Sequence, residues 1–203
     1  MKKVPALAII EFSDIPSGID ATDAMLKKAP IAFVKSGTIT RGRFLTLIGG
    51  TTGAVEEALG EGLLRAGDRV LDHLLLADVH PRVYDAILGG RRSAGSGALA
   101  IIETDTVALN VRAAELALKG TPVELVELRL ADSGLSGKGV SIYEGDLPDV
   151  EAAVEIVAAY LREAGGEMRH TVISSPHEAL VRQIGSGTAF GSAALLELDG
   201  EIG

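Results

Sequence analysis

Four histidines are the residues whose type most readily does chemistry, since imidazole is both an acid–base group near neutral pH and a common metal ligand. They fall in two pairs: His73 and His170 are 97 positions apart, and so are His80 and His177. Equal spacing puts each pair at matching places in two copies of one unit, and matching residues in a tandem repeat ordinarily sit on separate copies of a surface. His80 follows Val79 and precedes Pro81, and His177 also precedes a helical stretch, so a helix-entry role explains them without catalysis. Glu11 and Glu103 end twin apolar runs, and Asp14 and Asp105 stand where helices begin, where a carboxylate caps free backbone N–H groups. No nucleophile elbow, HExxH zinc motif or phosphate-binding GxxxxGK[ST] motif occurs. Gly95-Ser96-Gly97 precedes a strand rather than a helix, the wrong order for a phosphate cradle. No catalytic residue, metal site or cofactor is expected.

The repeat that pairs the histidines is explicit. Ala-Leu-Ala-Ile-Ile-Glu occurs at residues 6–11 and again at 98–103, in a chain of 203. After the first copy, the pattern predicts a strand over 7–11, a helix from Asp14 to Lys28, a strand over 31–34, a loop over 36–42 and a strand over 44–48. A helix carrying Val55, Ala58, Leu59 and Leu63 follows, then a strand over 73–76 and a short helix over 82–88. The order returns in the second half: strand 99–103, a helix to Gly120, strand 123–126, loop 132–137, strand 139–143, a helix bearing Val150, Ala153, Val154 and Val157, strand 170–173, and a last short helix. The offset drifts from 92 to 97 positions, as loop insertions produce. Two β-α-β-β-α-β-α units follow, of α+β class with a ferredoxin-like core. They span residues 1–90 and 98–187, with 91–97 as linker and 188–203 as a tail without counterpart.

Composition narrows the function classes. A net charge of −9 disfavours nucleic-acid partners, which need clustered Lys and Arg. The absence of Cys removes disulfides and thiolate-bound metals. The first apolar run is too short for a membrane span. Both hairpin loops, Ser36–Gly42 and Asp132–Gly137 by residue content, are short, polar and bracketed by glycine. That is compatible with ordinary turns and equally with loops that crowd at a symmetry axis.

These motifs together resemble a known family, the bacterial microcompartment (BMC) shell proteins of tandem-domain type. The matching residues are the two ALAIIE strands, Thr22-Asp23-Ala24-Met25-Leu26-Lys27, the Gly37–Gly42 hairpin, and Gly49-Gly50 before Val55-Glu56-Glu57-Ala58. In the second unit they are Ala114 to Lys119, Val123-Glu124-Leu125-Val126, Gly145-Asp146 and Pro176-His177. The resemblance implies a homotrimer shaped like a hexagon, tiling with itself, with single-domain hexamers and with vertex pentamers into a cytoplasmic protein shell, and passing small metabolites through a central pore. It places the pore on Gly37, Thr38, Ile39, Thr40 and Arg41 and on Ser133, Gly134, Leu135 and Ser136. It places the lateral edge on Lys27 and Lys119. Asp78 and Ser175 stand where relatives often carry an edge arginine. Without Cys, the iron–sulfur variant is excluded, and the unit order implies an unpermuted, single-layer ring. The competing reading is a trimeric ferredoxin-like regulatory or small-ligand-binding protein. A weaker third is a hydrolase using the histidines.

Overall fold

A computed structural model describes residues 4–132, 134–196 and 198. It contains two four-stranded antiparallel sheets. The first unit runs β1 (Ala6–Phe12), α1 (Ile15–Lys28), β2 (Phe33–Ile39), β3 (Arg43–Gly50), α2 (Thr52–Ala66), β4 (Val70–Ala77) and α3 (Pro81–Ile87). The second runs β5 (Ala98–Thr104), α4 (Val107–Gly120), β6 (Glu124–Leu130), β7 (Gly139–Gly145), α5 (Leu147–Ala164), β8 (Met168–Ile173) and α6 (Glu178–Ser186). Strand orders are β2-β3-β1-β4 and β6-β7-β5-β8, the α+β, ferredoxin-like arrangement expected from the repeat.

The unbroken apolar run of β1 has a simple cause. β1 is central, between β3 and β4, and both of its faces are covered. Ala6, Ala8, Ile10 and Phe12 pack beneath α1 and α2 with Met25, Val55 and Ala58. Leu7 and Ile9 face the other way, towards Val83 and Ile87 of α3. A strand buried on both faces loses the polar–apolar alternation of a half-exposed one. Close approach then demands glycine: a Cβ on Gly18 of α1 would lie 2.5 Å from the Phe44 ring.

Capping follows the sequence in the first unit and departs from it in the second, where Asp146 stands at the N-cap of α5 without a side-chain cap hydrogen bond. Asp14 accepts from Ser17 N at 2.9 Å. In the second unit the cap is Thr106, which accepts from Leu109 N, and not Asp105. Thr106 has the extended backbone of a cap residue; Asp105 lies one residue too early. Several strand boundaries also differ from expectation, β4 beginning at Val70 and β8 at Met168, with the largest differences at the ends of β2 and β6. β2 continues through residues 36–39, so the turn is only Thr40–Gly42. β6 continues to Leu130, because its pairing with β7 resumes after a bulge between Leu125 and Glu127.

Candidate functional site

The two hairpin tips meet. Thr40 Oγ1 donates to the Ala131 carbonyl at 3.2 Å and accepts from Gly137 N at 2.8 Å. Thr40 N also donates to Ala131 O. One threonine hydroxyl thus joins loops some 90 residues apart, using its capacity to donate and accept at once. Both tips carry unusual backbone. Four described non-glycine residues have positive φ, and three lie here: Arg41 (70°), Ala131 (51°) and Ser136 (51°). Such conformations cost about 1–3 kcal/mol each and persist only where the surroundings impose them.

The expected pore residues divide accordingly. Gly37, Thr38 and Ile39 lie on β2, and Thr40 and Arg41 form the turn. Gly134, Leu135 and Ser136 lie in the second loop, while Ser133 is outside the described residues. Arg41 is exposed, with no ion-pair partner among the described residues. Sequence reasoning missed Arg43. Its Nη1 is buried without a hydrogen-bond partner among the described residues, and its guanidinium lies against the Gly137 loop. A second arginine two residues after Arg41 was the available signal.

Behind the tips, the units are joined by a polar seam. Glu11 accepts from Ala108 N at 2.9 Å, at the start of α4. Thr106 donates to Asp72. Arg112 donates to Leu75 O at 2.9 Å, and His80 N to the Glu115 carboxylate at 3.1 Å. Arg82, buried in α3, donates to the Leu125 and Val126 carbonyls of β6 and to Gly90 O, and pairs with Asp85. Glu11 is fully buried. Burial raises its pKa to about 7; the Ala108 and Val107 N–H groups and Arg43 pull it down, and Asp72 pushes it up. Its sequence twin Glu103 instead pairs with Lys138 at 2.5 Å at a partly exposed site.

The remaining expected residues lie beside this seam. Lys119 donates to Asp78 O at 2.8 Å and pairs with buried Glu115 at 2.7 Å. Lys27 is exposed and pairs with Asp23. His80 and His177 are the N-cap residues of α3 and α6, each accepting through Nδ1 from the backbone two residues on. His73 and His170 are exposed, on β4 and β8. Among the described residues, no group of three metal-ligating side chains occurs, and no helix is long and apolar enough to cross a membrane.

Two tandem units of this topology, with both hairpin tips in contact, are matched twice by one family profile: the BMC domain, over residues 6–82 and 98–176. The chain belongs to the BMC-domain family. It is 38% identical over 182 residues to the bacterial microcompartment shell protein PduT of Citrobacter freundii, covering 90% of this chain and 98% of that one. Over 82 residues it is 35% identical to the carboxysome shell protein CsoS1C of Halothiobacillus neapolitanus, covering 40% of this chain and 83% of that one. Among solved structures, a microcompartment protein from Desulfitobacterium hafniense superposes with a TM-score of 0.76 at 35% identity, covering 87% of this chain and 98% of that one. The BMC family is structural, not catalytic, and this chain is a shell protein of its tandem-domain type. The ligand-binding alternative finds no support among these relatives.

Proposed function

We propose that this BMC protein forms a homotrimeric pseudohexamer that tiles into shell facets in the cytoplasm, beside single-domain hexamers and vertex pentamers, with a central pore for small metabolites. Its units are residues 1–90 and 98–187, joined by 91–97, with 188–203 as a tail. The observation that carries the ring is an asymmetry between twins. In β6, Leu125 to Leu128 are buried beside α3; in β2, the matching stretch from Val34 to Ser36 is exposed. α3 buries Arg82, Val83, Tyr84, Ala86 and Ile87, whereas α6 buries only Ala179 and Ile184. One seam is made within the chain, and each unit still presents its unused half. A head-to-tail interface of this kind repeats by rotation until the ring closes. Three chains supply six units.

The unused halves are complementary. Asp14 occupies the place of Thr106, and Arg169 that of Asp72, so a carboxylate meets a guanidinium where the in-chain seam has a hydroxyl donating to a carboxylate. Asp23 and Lys27 occupy the places of Glu115 and Lys119, ready to receive His177 N and the Ser175 carbonyl. Lys27 and Lys119 then lie at the outer margin, as tiling edge residues. The hairpin tips, Gly37 to Arg41 and Ser133 to Ser136, surround the axis, and three exposed Arg41 side chains favour anions there.

Light scattering and electron microscopy of the purified chain test the reading. A mass of three chains and hexagonal sheets are expected; a monomer at micromolar concentration overturns the ring. Arg41→Glu should leave the trimer intact and reduce anion passage into reconstituted shells. Unchanged anion passage would remove Arg41 from the pore.

A further inference from the structure

The segment after α6 is the part of the molecule the ring alone leaves unexplained. In one chain it folds back over α6, with Gln183 Nε2 donating to Ala194 O at 2.6 Å. It leaves Phe190 96% and Leu195 92% exposed, beside an open apolar cleft formed with Leu180. Large apolar side chains so exposed mark a surface that something covers. The repeat says where to look for the cover. The matching segment after α3 is the linker, and it lies across the second unit. Arg92 N donates to Val126 O at 3.1 Å and its guanidinium pairs with Glu124. Arg91 spans Glu127 and Ile184 O. Gly95 N and Gly97 N donate to Glu144.

Three observations agree on the first unit of a second copy as the tail's partner. The matching place there is empty: a cleft of about 180 Å³ lies against β2 where the second unit has Arg91, walled by Lys35, Leu45, Leu47, Ile87 and Leu130. The chemistry has changed on both sides together. The acids that hold the linker, Glu124, Glu127 and Glu144, become Phe33, Lys35 and Gly49. The linker's Arg91-Arg92-Ser93 becomes Thr188-Ala189-Phe190. A charged contact is replaced by a mostly apolar one, and neither partner keeps a charge that would be buried facing its like. The length also suffices. Ten residues carry the chain from Ile87 to Ala98, and nineteen follow Ile184.

We propose that the tail of one copy crosses to the next copy in the ring and runs along β2 near Val34, with Thr188 in the place of Arg91 and Phe190, two residues on and on the same face of an extended segment, reaching into the cleft between β2 and Ile87. This rests on the trimer reading above. The tail then takes the course that the linker takes inside the chain, so all six junctions of the ring are strapped, three by linkers and three by tails. Phe190 is the anchor because an aromatic side chain removed from water into an apolar pocket contributes most at such contacts.

The chain has no Cys, so an introduced pair reports cleanly. Val34→Cys with Ala189→Cys, in protein shown to be trimeric by light scattering, is treated with oxidant or a short bismaleimide and run under denaturing conditions. Covalent dimers and trimers are expected, and adding Phe190→Glu should slow their formation by roughly tenfold or more. In a confirmed trimer, absence of cross-linking, or cross-linking only within chains, overturns the tail placement and leaves the ring standing. A protein that is not trimeric overturns both. As a second readout, Phe190→Ala should raise the concentration at which the trimer dissociates by roughly tenfold, without changing the unfolding of the dilute single chain, where Phe190 is already in water. Unchanged dissociation overturns the anchor.

Discussion

Glu11→Gln should stabilise the protein, and only on the alkaline side. Glu11 is buried in the seam with Oε1 on Ala108 N and Oε2 without a partner in the structure. A buried carboxyl with one satisfied oxygen is easier to keep protonated than charged. Its pKa rises from 4.5 to about 7, so between these values the folded chain holds a proton that the unfolded chain has lost. Stability is therefore greatest below pH 4.5, falls as pH rises through this window, and levels off above about pH 7. At about 1.4 kcal/mol per decade, the loss is about 3 kcal/mol. Glutamine keeps a carbonyl acceptor for Ala108 N and carries no charge at any pH. For a chain of this size, each kcal/mol moves Tm by roughly 2–4 °C. The variant should thus melt roughly 6–12 °C above the parent at pH 8.5, with the gap closing towards pH 5. Calorimetric or circular-dichroism melts across that range check it. A difference in Tm that is the same at both ends would show that Glu11 is not held protonated by its burial.

Arg82→Leu should leave the Leu125, Val126 and Gly90 carbonyls without their side-chain donor, costing about 2–4 kcal/mol; urea unfolding measures it, and a loss below about 0.5 kcal/mol would mean that water replaces the guanidinium without penalty. Gly18→Ala should destabilise by about 1–3 kcal/mol, since the new methyl meets the Phe44 ring; a neutral result in the same unfolding assay would mean the ring moves aside freely. For the ring, Arg169→Asp should dissociate the trimer by setting like charges across the seam, and adding Asp14→Arg should restore it; light scattering of the single and double variants decides. Recovery no greater than that of Asp14→Arg alone would separate the two residues.

The repeated ALAIIE run carried most of the fold, because a strand buried on both faces shows as an unbroken apolar stretch. It also fixed the register that paired the four histidines, and the structure makes His80 and His177 helix caps. Strand length was less legible. Ser36 to Ile39 of β2 read as loop because edge residues are polar and small, although they pair fully with β3. The contact through Thr40 could not be read, since no local pattern says which hydroxyl meets a tip 91 residues away. Glu11 and Glu103 were indistinguishable in sequence. Only the seam separates them, burying one and leaving the other to Lys138.

The linker has a kinetic consequence. It holds the two halves of the in-chain seam at the high effective concentration of a short tether, which for flexible linkers is in the millimolar range. That seam therefore forms at any dilution as part of folding. To build the proposed ring, six separate domains would need five encounters between molecules, whereas this chain needs two, each between subunits that already carry a finished junction. Fusion also fixes the order. In the proposed ring the Thr40 tip and the Gly137 tip alternate around the axis, so each kind of loop faces the opening three times and can diverge without ever meeting a neighbour of its own kind.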